Sequence, residues 1–267
     1  MNCNKIAFIN SKGGCGKTTS LFHMSGVLAD KGEKTLVIDF DKQKNITDTL
    51  LRFNEDKPAL SVLDFMHGKT SIEDIVRKAY FKNRENATPK YYGIDVLPSD
   101  IRLEDVSLLK KINIKDEISD FVFKNGYKWL LVDMPPSNKP INEICFSQIV
   151  DFVIVPFTCD VFSVSGYKNI MSTVDNARQY NESLDIIGIY ISRFDKSSSG
   201  DNYVKDKLQE FGDVFIDVQI PDRSDVRDSI LFGRPISYFK MFSPSKTAYE
   251  NLTARIEERI TQLRKGI

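Results

Sequence analysis

Short, continuous apolar runs alternate with longer stretches of helical periodicity from one end of the chain to the other. The runs Lys5–Asn10, Thr35–Asp39, Ile94–Pro98, Trp129–Asp133, Phe152–Pro156, Ile186–Ser192 and Val214–Ile220 predict strands. They lack the apolar–polar alternation of a half-exposed strand, so they read as strands covered on both faces. Helices are expected over Lys17–Lys31, Ile141–Val150, Ser163–Tyr180 and Asn202–Phe211, with Gly32 well placed to stop the first. A terminal helix is expected from Ser243 to Leu263. This strand–helix rhythm predicts one α/β domain built on a mostly parallel, doubly wound sheet of about seven or eight strands. No repeat or Gly/Ser linker divides it, and Lys82–Lys90 and Ser197–Gly200 read as exposed loops.

Composition narrows the function classes. Lys plus Arg and Asp plus Glu number 37 each, so the formal net charge is zero. A global positive field for nucleic acid or membrane is therefore missing, and any such surface has to be local. Apolar runs such as Phe152–Phe157 are far too short to span a bilayer, and no signal segment is read, so a cytoplasmic protein is expected. Cys3, Cys15, Cys145 and Cys159 form no C-x-x-C pair, and the chain has two histidines. Free thiols are expected, not disulfides or a thiolate metal centre.

The strongest chemical signal lies between the first strand and the first helix, at Ser11-Lys12-Gly13-Gly14-Cys15-Gly16-Lys17-Thr18-Thr19. Glycines let a backbone curl until its N–H groups converge on phosphate oxygens, and the following helix N-terminus adds partial positive charge. The stretch from Gly13 through Cys15 and Gly16 to Thr19 is thus expected to cradle a nucleotide's phosphates. Lys17 would reach the terminal phosphates, and the Thr18 hydroxyl would hold Mg²⁺. Cys15, beside cationic groups, has an alternative reading as a redox-sensitive thiol.

Two further acidic sites follow strands. Thr35–Ile38 runs into Asp39-Phe40-Asp41, and strand alternation would turn Asp39 and Asp41 to the same side. Two carboxylates there suit Mg²⁺ hydration and orientation of an attacking water. Trp129–Asp133 ends in a single Asp followed by Met134-Pro135-Pro136-Ser137, and Asp133 would hold Mg²⁺ through water at the carboxyl end of its strand.

The octet Lys12–Thr19 resembles the deviant phosphate-loop motif of the ParA/MinD family of ATPases. The stretch Asp39–Asn45 is similar to that family's D-x-D-P-Q-x-N segment, with Lys42 in place of proline, and Asp133–Ser137 to its D-x-P-P-S run. Gly93–Ser99, Val155-Pro156 with Ser163 and Ser165-Gly166, Ile220-Pro221, Gly233–Ile236 and Ser245–Leu252 extend the resemblance over nearly the whole chain. It implies that Lys12 reaches across an ATP-bound homodimer to the partner's phosphates while Lys17 acts within its own subunit. It also implies that Asp41 activates the lytic water and that Asp39 is a magnesium-side carboxylate. Base contacts are implied for Arg193, Pro221 and Asp222. The guanine-reading N-K-x-D pattern is replaced by Ser192-Arg193-Phe194-Asp195, so ATP is expected.

The family's branches differ in function. Paired cysteines for an iron–sulfur branch are missing, and no helix-turn-helix module is expected ahead of the phosphate loop. Ile256, Ile260, Leu263 and Ile267 form a stripe near Arg255, Arg259, Arg264 and Lys265, but Glu257 and Glu258 interrupt the basic face. Such a stripe is more often the seam of a packed helix than a membrane anchor, so membrane binding is not expected. Arg223, Arg227, Arg234, Lys240 and Lys246 supply local basic charge, with Asp222, Asp225 and Asp228 among them, so charge alone leaves its use open. The resemblance of the tail implies non-specific, salt-sensitive DNA binding. The resemblance then implies a nucleoid-associated, ParA-like partition ATPase stimulated by a ParB-like partner. The alternative is a MinD-like ATPase that positions machinery at a membrane.

Overall fold

The structure, a computed structural model, describes residues 3–55, 59–104, 113–136, 139–159, 163–179 and 181–266. Its strands are β1 (Asn4–Phe8), β2 (Thr35–Asp39), β3 (Arg77–Phe81), β4 (Lys90–Leu97), β5 (Trp129–Asp133), β6 (Phe152–Phe157), β7 (Asp185–Phe194) and β8 (Phe215–Pro221). They form one sheet in the order β3-β4-β2-β5-β1-β6-β7-β8. Every pairing is parallel except that of β3 with β4. All seven expected strands are present, and β3 is additional. Its sequence, Arg-Lys-Ala-Tyr-Phe, buries Ala79 and Phe81 and leaves Arg77, Lys78 and Tyr80 more open, as an antiparallel edge strand does.

The helices are α1 (Lys17–Asp30), α2 (Asn45–Leu50), α3 (Val62–Met66), α4 (Ile72–Ile75), α5 (Ile114–Lys124) and α6 (Lys139–Ile144). They continue with α7 (Ser163–Arg178), α8 (Ser199–Leu208), α9 (Ser224–Leu231), α10 (Ile236–Phe239) and α11 (Pro244–Lys265). The expected helix Ile141–Val150 is in fact α6 followed by a π-helical turn at Cys145–Ile149. The helix expected from Asn202 starts earlier, because the Ser198 hydroxyl accepts the Asp201 N–H and caps α8. Tyr180 lies outside the described residues.

Alternate strand residues feed two apolar layers. Leu36, Ile38, Leu130 and Val132 face α5 residues such as Ile118, while Val37, Leu131 and Ile154 face α1 and α11. On α11, Tyr249, Leu252, Ile256 and Ile260 are buried and Leu263 packs beside them, so the terminal stripe is a seam against the domain's own core. Ile267 lies outside the described residues. Among the described residues, no helix is long and apolar enough to cross a membrane.

The contact between α1 and the α9–α10 connection leaves no room at Gly26. A Cβ there would stand 2.2 Å from Pro235 Cβ and 2.9 Å from its Cγ, and the proline ring cannot swing aside. An exposed helical Gly→Ala change gains about 1 kcal/mol. Here overpacking reverses the sign, and Gly26→Ala is expected to cost about 2 kcal/mol or more in urea unfolding. An unchanged or raised midpoint would show that α1 and Pro235 can separate freely.

Candidate nucleotide-binding site

The carboxyl ends of β1, β2, β5, β6 and β7 converge on the loop before α1. Asp133 sits level with Phe8 on one side and with Asp39 on the other. The loop turns through Gly14 at φ 75° and Gly16 at φ 90°, a left-handed conformation in which a side chain would be strained. Its shape is held from three directions. Asn10 Nδ2 donates to Pro156 O at 2.8 Å, and Asn10 Oδ1 accepts the Lys12 N–H at 2.9 Å. From β7, Ser192 Oγ donates to Cys15 O at 2.5 Å.

A cavity of about 860 Å³ opens above this loop, lined at one end by Gly13 through Ser20. Lys17 is buried, and its ammonium donates to the carbonyls of Asn10 at 3.2 Å and Lys12 at 3.4 Å. It thus lies folded across the loop, where phosphate oxygens would offer stronger, charged acceptors. Lys12 is exposed and does not line the cavity, whereas Lys17 is buried and does. Cys15 is buried, and burial raises its thiol pKa, with Lys17 opposing. That environment disfavours the thiolate, so the redox-sensitive reading of Cys15 loses its physical basis.

Thr18 Oγ1 donates to Asp133 Oδ2 at 2.7 Å, while Asp133 Oδ1 is buried with no hydrogen-bond partner among the described residues. Burial pushes the Asp133 carboxyl up to about 7, and Asp41 adds to the rise. Thr18 and Lys17 oppose it. A buried carboxylate oxygen without a donor is costly, and a hydrated divalent cation beside Thr18 would relieve it. The residues present therefore fit Mg²⁺.

Asp39 and Asp41 differ in their access to the cavity. The pairing with β5 runs on through the Phe40 N–H to Asp133 O at 2.9 Å and the chain turns at Lys42–Gln43; Asp41 lines the cavity and Asp39 does not. Asp39 Oδ1 accepts the Asp41 N–H at 2.9 Å, and Oδ2 accepts the Thr47 N–H at 3.0 Å and hydroxyl at 2.6 Å. Both oxygens are engaged, which argues against the magnesium-side role expected for Asp39. It instead caps the first turn of α2 from the neighbouring strand. Burial, then Asp133, raises the Asp39 pKa.

The far end of the cavity is walled by Arg193, Pro221, Asp222, Val226, Ile230 and Tyr249. The three residues expected at the base are thus brought together. Arg193 is held at φ 56°, an uncommon backbone for a non-glycine residue. Asp222 stands between two guanidiniums, Arg227 at 2.8 Å and Arg193 at 3.7 Å. The basic residues expected on a DNA surface are differently placed. Arg223 and Arg227 line this same cavity, and Arg223 pairs with Asp225 at 3.5 Å. Arg234 is half-buried and donates to the carbonyls of Lys82, Asn83 and Tyr238. Lys246 pairs with Glu250 at 3.5 Å, and Lys240 is exposed. Sequence reasoning missed Asn10, Ser192, Arg227 and Tyr249 as parts of the site, because their roles depend on which strand ends meet.

This arrangement, a Gly-rich loop between β1 and α1 with an acidic strand end beside it, defines a P-loop nucleoside triphosphatase. A family model described as an AAA domain matches residues 3–186. The chromosome partitioning protein ParA of Caulobacter vibrioides (strain NA1000 / CB15N) is 27% identical over 264 residues, covering 95% of this chain and 94% of that one. The chromosome-partitioning ATPase Soj of Treponema pallidum is 29% identical over 256 residues, covering 95% and 97%. Among solved structures, the septum site-determining protein MinD of Pyrococcus horikoshii, complexed with Mg-ADP, superposes with a TM-score of 0.76. It is 20% identical, and the match covers 98% of this chain and 99% of that one. The chain belongs to the AAA-domain family and, within it, to the ParA/MinD group of ATPases.

Proposed function

We propose that this chain is a magnesium-dependent, ParA-like ATPase that works as an ATP-bound dimer on DNA. The observation that carries this reading is the placement of two lysines of one loop, with Lys17 buried at the cavity and Lys12 exposed outside its lining. A nucleotide cradled by Gly13–Thr19 would draw the Lys17 ammonium from backbone carbonyls onto its phosphates. Thr18 and Asp133 would hold Mg²⁺, which supplies charge neutralisation at the phosphates. Asp41, at the cavity wall, would orient the attacking water, while Asp39 supports its loop. Arg193, Pro221 and Asp222 would contact the adenine. Lys12 would complete the site of a facing copy, which makes the dimer the state that senses ATP.

DNA would be held through phosphates by the dimer, on the nucleoid, with Arg223, Arg227 and Lys240 the exposed members of the basic set. A ParB-like partner would stimulate hydrolysis, and cycling between bound and released states would move plasmid or chromosome cargo. The test is retention on non-specific DNA with ATP or ADP at low and moderate salt. Retention is expected with ATP alone and is expected to fall as salt rises. Lys12→Ala is expected to bind ATP yet stay monomeric in size-exclusion chromatography and run off DNA. Equal retention with both nucleotides would overturn the switch.

A further inference from the structure

Asp41 and three polar residues around it, Asp39, Thr47 and Ser99, close a hydrogen-bonded ring. Asp39 Oδ1 accepts the Asp41 N–H at 2.9 Å, and Asp41 O accepts the Ser99 hydroxyl at 2.6 Å. The Ser99 N–H donates to Thr47 Oγ1 at 2.9 Å, and that hydroxyl donates to Asp39 Oδ2 at 2.6 Å. No member is more than 8% exposed. The ring ties together the end of β2, the first turn of α2 and the segment after β4, which are far apart in sequence.

Its cost shows that loop shape matters. Burying a carboxylate and two hydroxyls is unfavourable unless every group is satisfied, and an apolar contact would hold a surface loop more cheaply. What the ring adds is definition. It grips Asp41 by both its N–H and its C=O, which fixes the backbone and so the direction of the side chain. Asp41 is the one member that lines the nucleotide cavity. One of its carboxylate oxygens is further steadied by the Gln43 N–H at 2.9 Å.

We infer that Thr47 and Ser99 are positioning residues for hydrolysis: with Asp39 they hold the Asp41 carboxylate at a fixed place over the phosphate loop. They touch no part of the cavity themselves, so their loss changes turnover and not nucleotide affinity. This rests on the role proposed above for Asp41. A shift of about 1 Å in a reacting group is enough for a loss on the order of 100-fold.

The experiment combines single-turnover ATP hydrolysis with affinity for a fluorescent ATP analogue, for Ser99→Ala, Thr47→Val, Thr47→Ser, Asp41→Ala and the Ser99→Ala/Asp41→Ala double variant. Ser99→Ala and Thr47→Val are expected to be about 10- to 100-fold slower, with affinity within about twofold of the parent. Thr47→Ser keeps the hydroxyl and is expected to recover most of the rate. The double variant is expected to be no slower than Asp41→Ala, because both changes remove one function. Parental rates in Ser99→Ala and Thr47→Val beside a slow Asp41→Ala would overturn the inference and leave Asp41 in place. An affinity loss as large as the rate loss would reduce the ring to fold support. A parental rate in Asp41→Ala would instead remove Asp41 from the reaction, and the ring's role with it. The serine–valine pair at Thr47 and the separate change at Ser99 keep the result readable should one variant misfold.

Discussion

Replacing Lys17 by alanine is expected to weaken ATP binding by about 100-fold or more, the largest single effect on binding in this protein. Lys17 is buried, at 6% exposure, and its ammonium donates to the carbonyls of Asn10 and Lys12 and to the Cys15 sulfur. Those neutral acceptors are weaker partners than phosphate oxygens, so the side chain is poised to transfer to a polyanion. Removing one member of a buried, hydrogen-bonded charge pair costs about 3–5 kcal/mol, and each 1.4 kcal/mol is tenfold in affinity. Titration with a fluorescent ATP analogue in the presence of Mg²⁺ reads the loss directly. Lys17→Arg is expected to recover little, because the planar guanidinium does not fit a cleft shaped for a point charge. Lys12→Ala, changed outside the cavity, is expected to bind within a fewfold of the parent. If Lys17→Ala also stayed within threefold, the phosphate end of the cavity would have been assigned wrongly.

The phosphate loop was legible in the sequence because backbone chemistry forces it: a loop wrapping a polyanion needs glycines, a lysine and a hydroxyl at fixed offsets. The central strands were legible for a similar reason, since a strand covered on both faces has little choice but continuous Val, Ile and Leu. Strand β3 escaped because an edge strand buries one face, and Ala79 with Phe81 gives too short an alternation to register. Asp39 was read as a magnesium-side carboxylate from strand alternation, which is silent on its hydrogen bonds. Its oxygens are taken by the Asp41 N–H and by the N–H and hydroxyl of Thr47, a partner that no local pattern links to Asp39. The basic residues show the same limit. Arg227 looks like any surface arginine until Asp222 is found 2.8 Å away at the lip of the cavity. Periodicity reports what a residue's own element does, and it is silent on which loops meet.

His23 shows how far such a meeting can reach. It lies on α1, fully buried, with its ring 4.6 Å from that of Tyr249 on α11. The Ile236 N–H donates to Nδ1 at 3.1 Å, so that nitrogen carries a lone pair. Ser229 Oγ, 3.4 Å from Nε2, gives its own hydrogen to Val226 O. The proton therefore sits on Nε2, and the neutral imidazole joins α1 to α9 and α10. Charging it would place a second proton against the Ile236 N–H. Burial already holds the imidazole pKa down to about 3, although Val226 O and Asp225 favour the charged form. Unfolded, the same group titrates near the usual 6.5. Between those two values the unfolded chain binds a proton that the folded chain refuses, so this stability is complete above about pH 6.5 and declines as pH falls towards the folded value. The decline is about 1.4 kcal/mol per pH unit, hence about 3 kcal/mol by pH 4.5. The check is urea unfolding of the parent and His23→Asn from pH 7.5 to 4.5. Asparagine cannot charge, so the parent's advantage at pH 7.5 is expected to shrink steadily below pH 6.5. A constant gap would mean that the ring charges in place, and that the contact among these helices tolerates it. Adding ATP stabilises both chains by mass action without supplying the missing titration, so the slope of the gap is expected to survive saturation of the nucleotide site.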